Sequence, residues 1–156
     1  MLADRRGALG LPFRLLLAFT IATLAFPPLL QTYQGLQARL AREQLAGELA
    51  RLEAAATAVF FGGPENVQQL RVDLNGGPHF AIREVIFGDP VGNRPAPLCT
   101  VRLSDGAELS YVFLDSQVPI GATGGGAATF PPQLWDLSLS YTSGPDGSFV
   151  AVEALP

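Results

Sequence analysis

The chain has 156 residues, of which 48% are apolar and 15% charged, and its net charge is −4. That length admits one domain of ordinary size, or a small domain with an appendage, and excludes a large two-domain enzyme. The 10 basic residues are all arginine and are outnumbered by 14 acids, which argues against a surface built to hold nucleic-acid phosphates. A lone Cys99 closes no internal disulfide, and with a single His79 the chain lacks the ligands of a soft-metal site.

The charge is polarised along the chain. Residues 1 to 61 hold 6 Arg and 4 acids, net +2, whereas residues 62 to 156 hold 4 Arg and 10 acids, net −6. A short basic start ending in Arg5-Arg6-Gly7 leads into an apolar run from Ala8 to Leu30 that only Arg14 interrupts. As a helix this run spans about 34 Å, enough for a hydrocarbon core of about 30 Å, with Arg14 near one end where it can snorkel. Arg5, Arg6 and Arg14 on the N-terminal side place that end in the cytoplasm and the rest of the chain outside.

Three fates are open to the segment. A secretory signal would be cut after Ala25, although Thr23-Leu24-Ala25 is a poor small-x-small site with Pro27 close behind. An uncleaved signal anchor needs only the charge and the apolar length. In the third, the basic stretch ends in Gly7 before the apolar run, with Ala8 and Leu9 directly after it. That arrangement resembles the class III signal of prepilins, especially archaeal type IV pilins and pilin-like proteins. The resemblance implies a cut by a membrane prepilin peptidase between Gly7 and Ala8. The apolar segment would then stay on the mature chain as its assembly helix, carrying Arg14, Leu15, Leu16, Phe19, Ile21, Leu24, Phe26 and Leu30. The fifth position after the cut is Pro12, where bacterial pilins carry Glu, so the likeness is to the archaeal members.

Helix is expected to continue to Phe61, with a break at Pro27-Pro28, where two backbone donors are lost in succession. Large apolar residues at 29, 33, 36, 40, 45, 49, 52, 59 and 60, with Ala56 between, read as one stripe. Arg39 with Glu43, and Glu48 with Arg51, are spaced for ion pairs on the other face. Gly62-Gly63-Pro64 stops the helix. From Ala8 to Phe61 it would run about 81 Å, more than a domain of this size can cover, so part of the stripe must meet lipid or other subunits.

Beyond Glu65 the apolar period falls to two. Strands are expected at 67–74, 80–87, 98–103, 108–114, 134–141 and 149–155, with hairpins at Ser104-Asp105-Gly106 and Gly144-Pro145-Asp146-Gly147. Arg94-Pro95-Ala96-Pro97 reads as an extended connector, and the Gly-rich stretch from Ser116 to Pro132 as an exposed flexible loop. The fold class is therefore α+β: a leader over 1–7, a hydrophobic helix over 8–61, and an antiparallel sandwich or barrel-like head over 62–156.

The acids Asp73, Glu84, Asp89, Asp105, Glu108, Asp115, Asp136, Asp146 and Glu153 fall singly on strands and turns, and no pair is spaced to share a proton. His79 has no nucleophile to serve, Ser104 lacks a nucleophile elbow, and Cys99 reads as a small core residue. No enzymatic activity, cofactor or metal is expected. The resemblance implies a structural subunit of a cell-surface filament, active in adhesion. It would be membrane-inserted before assembly and would polymerise with copies of itself through the pilus assembly machinery. A monomeric membrane-anchored binding module facing the exterior is the alternative.

The mature chain is expected to begin at Ala8, which intact mass and N-terminal sequencing of native material will check. A start at Met1 would support a plain anchor, and a start at Phe26 ordinary secretion.

Overall fold

The computed structural model describes residues 5–77, 79–113, 117–145 and 147–156, with side chains from residue 12 onward. Among the described residues, one helix, α1 (Arg5–Gly62), precedes eight strands. These are β1 (Val67–Asp73), β2 (Ile82–Asp89), β3 (Arg94–Leu103), β4 (Glu108–Val112), β5 (Ile120–Gly121), β6 (Ala128–Phe130), β7 (Leu134–Gly144) and β8 (Gly147–Ala154). The chain forms two compact units, residues 1–37 and residues 38–156.

In the first unit the helix continues through Pro12, Pro27 and Pro28, and the interruption expected at Pro27-Pro28 is absent. Proline's fixed φ is itself helical, so the loss is confined to the donors that the carbonyls of Thr23 and Leu24 would have met. Leu and Ala, strong helix formers, flank the pair on the N-terminal side. The hydroxyls of this stretch are satisfied internally. Thr20 donates to the Leu16 carbonyl at 2.8 Å, Thr23 to that of Phe19 at 2.7 Å, and Thr32 to that of Pro28 at 2.8 Å.

The second unit is an α+β head. Its strands follow the order β1-β7-β8-β5-β3-β2-β6, with β4 added beside β3, and every pairing is antiparallel except β5 with β8. The sheet is not closed into a barrel, which corrects the barrel-like expectation. β3 explains the open form. One of its edges pairs with β2, while Ala96 meets Ile120 of β5 and Leu98 to Arg102 meet β4. A ten-residue strand thus joins two groups of strands instead of completing a ring. The Arg94-to-Pro97 stretch, expected as a connector, is the start of that strand.

Gly88 sits at the irregularity between β2 and β3 with φ +101, and a Cβ there would lie 2.8 Å from the Arg94 carbonyl oxygen and 3.0 Å from that of Ile120. Only glycine fits this left-handed backbone and close approach.

The core is built by the second half of α1 together with the sheet. Leu45, Leu49, Leu52, Ala56 and Val59 are buried in one cluster with Val72, Leu74, Phe87, Val101, Leu137 and Leu139. The stripe read as continuous in the sequence is two stripes. Leu40 is 52% exposed and Leu45 1%, because the step of five between them turns the apolar face by about 140° around the helix. Replacing Leu52, which is fully buried, with Ala should lower the stability of the head by about 2 to 5 kcal/mol, read from urea unfolding of the 38–156 fragment.

Candidate functional site: the exposed apolar helix

The large apolar side chains described in the first unit are exposed. Leu15, Leu16, Phe19, Ile21, Leu24, Phe26 and Leu30 are all exposed, from 40% at Leu30 to 74% at Leu24. Arg14 is exposed as well and is the single charge between positions 12 and 38. With the threonine hydroxyls bonded back to the helix, the guanidinium is the one charged side chain that a nonpolar environment around residues 12–30 must accommodate. The helix is long and apolar enough to cross a membrane. Gly7 and Ala8, the residues of the expected cut, lie in helical backbone, while Met1 to Asp4 of the leader lie outside the described residues.

The head carries its polar groups differently. Arg102 on β3 reaches Glu108 at 2.7 Å and Glu84 at 2.9 Å, and the two carboxylates, Glu84 foremost, hold its guanidinium further toward the charged form. The sequence reading passed over this cluster. Its signal was the Ser104-Asp105-Gly106 hairpin, whose register sets Arg102 opposite Glu108. Asp89 accepts from the backbone of Val91 at 2.9 Å and pairs with Arg94 at 3.3 Å. Backbone hydrogen bonds from Gly92 and Val91, then Arg94, hold its carboxyl below the usual range, so this turn loses support as acid protonates it. Both arrangements tie strands and turns together. Asp105 likewise accepts from the Ala107 amide at 2.9 Å within its turn. Asp115 and Asp146 lie outside the described residues.

His79 is exposed at the rim of an open cavity of about 450 Å³ lined also by Arg42, Phe80, Ser104 and Asp105. Arg42 stacks over the Phe80 ring at 5.4 Å. The structure thus brings His79, Ser104 and Asp105 to one rim, which the sequence did not foretell. Among the described residues, no group of three or more His, Cys, Asp and Glu is arranged to hold a metal ion. Comparison with known proteins gives no matching family model, no matching curated protein and no matching solved structure.

Cys99 is fully buried, and burial alone pushes its thiol well above the ordinary range. Under native conditions it should resist alkylation at pH 8, with full labelling only in denaturant, as mass spectrometry of iodoacetamide-treated protein will read.

Proposed function

We propose that this chain is a pilin-like structural subunit of a cell-surface filament of the archaeal type IV kind. It is inserted first in the cytoplasmic membrane and then assembled through its N-terminal helix, with the acidic β head turned to solvent and available for adhesion. The observation that carries the reading is the contrast between the units: the head has its own closed core, while the large apolar side chains of the first helix lie uncovered. A soluble monomer does not keep such a surface in water. Lipid and neighbouring copies of the same helix are the two environments that remove it. Burial of Leu, Ile and Phe side chains between copies contributes about 1.5 to 3 kcal/mol each before the entropy of association is subtracted, ample for a polymer.

The order of events follows from the same surface. A chain that carries Arg5 and Arg6 beyond the apolar run is held in the membrane by them. Removal of these residues after Gly7 leaves a helix free to exchange lipid for protein contacts. No chemistry or cofactor is assigned to the head.

Native protein, isolated without detergent and imaged by electron microscopy, should form helical filaments with helix density at the axis and heads outside. Phe19→Asp should abolish them while the circular dichroism of the head is unchanged. Monomers that remain bound to lipid would establish the membrane-anchored binding module instead, and filaments cored by the β head would defeat both.

A further inference from the structure

Arg14 needs a partner once the helix is buried among copies, and the sequence restricts where it is found. Between Arg5 and Arg42 the helix has no acid at all, and its acids are Glu43, Glu48 and Glu53. In-register packing of parallel helices would set Arg14 beside Arg14, a like-charge contact in an apolar setting. The copies must therefore be staggered.

The three acids are not equally available. Glu48 holds Arg51 through both oxygens, at 2.9 and 3.0 Å, with its side chain 24% exposed. Glu53 is half-buried and engaged within the chain. Glu43 is 61% exposed and makes one contact with an exposed Arg39 at 3.1 Å, a surface pair of little worth that leaves its second oxygen to another cation.

Glu43 also stands at the head of a second, solvent-facing stripe of α1. Gly47, Ala50, Ala54 and Ala58 follow it on that face and are exposed, opposite the buried Leu45, Leu49 and Leu52. A Cβ added at Gly47 meets nothing within 4 Å. We propose that this face is the seat for the apolar helix of a second copy, with Arg14 of one chain paired to Glu43 of the next. The inference rests on the filament reading above.

The register that this pairing sets also matches side-chain sizes. With Arg14 level with Glu43, Leu17 comes level with Ala46, Ile21 with Ala50 and Leu29 with Ala58, so these three large exposed residues each meet a small one. Small residues let helix axes approach closely and bring the charge pair into contact range. The stagger equals the rise from position 14 to position 43, about 43 Å.

Charge exchange tests the pairing in full-length native filaments. Arg14→Glu and Glu43→Arg should each reduce filament yield by about tenfold or more, and the double variant should recover most of it. Because a carboxylate at position 14 can hinder membrane insertion, a second measurement avoids it. Leu17→Cys and Ala46→Cys, carried on differently tagged chains and co-assembled, should form a disulfide between tags on oxidation. Ala50→Trp should block assembly while the head keeps its unfolding midpoint. Filaments of Glu43→Arg at wild-type yield, or no cross-link between tags in intact filaments, would overturn the pairing and leave the filament reading standing. Wild-type protein that forms no filament would remove both.

Discussion

The organisation of this protein depends on a single change of phase in its helix. Leu40 and Leu45 are separated by five positions, and a helix with 3.6 residues per turn cannot keep both on one face. From Leu45 to Val59 the large apolar residues face the sheet, and the solvent side is left to Gly47, Ala50, Ala54 and Arg51. Leu29, Tyr33, Leu36 and Leu40 keep to one other face, and from Phe13 to Leu30 large residues occur all round the helix, the pattern of a segment surrounded by apolar material. The same secondary structure thus carries two patterns of apolar residues. The head can be complete by itself because its share of the helix supplies one side of the core and β1, β7, β2 and β3 supply the other.

Much of this was legible beforehand. The helix end at Gly62 follows from two successive glycines and a proline, and Gly63 has the positive φ that stops a helix. The six expected strands are present, with ends displaced by a few residues, because their alternation is regular and their turns carry Asp and Gly. β5 and β6 were missed because two or three residues from a Gly-rich stretch show no periodicity, and long-range pairing defines them. That stretch is also tied more firmly than its composition suggests. The Ala122 amide donates to Gly126 at 2.7 Å, and Asn93 accepts from the Ala127 amide at 3.1 Å across the β2–β3 hairpin. Composition registers the absence of side-chain bulk but not a hydrogen bond reaching from another loop.

The candidate site divides along the same line. The apolar residues Leu15 to Leu30 and the intruding Arg14 are visible in the sequence, since length and hydropathy are local properties. Exposure is not a local property, and it is the structure that shows these side chains exposed. The reverse holds for Arg102. Its two carboxylates come from strands before and after it, and only the register of both pairings turns three ordinary residues into one cluster. The proline pair misled because a missing donor was weighed as a break. An assignment of helix across it requires only that the surrounding turns hold.

Assembly in the proposed filament would have to reconcile two opposed terms. Apolar helices attract without direction, and with large residues all round they accept many registers of similar energy. The heads carry a net −6 each by formal charge, so they repel at close range, though physiological salt screens charges beyond about 8 Å. Neither term selects one stagger. A buried ion pair does, because every register that leaves the guanidinium unpaired in an apolar setting is penalised by several kcal/mol, as a polar core residue fixes register in a coiled coil. In the proposed filament the value of Arg14 would lie in geometry more than in net stability: it would raise the energy of wrong registers above that of one.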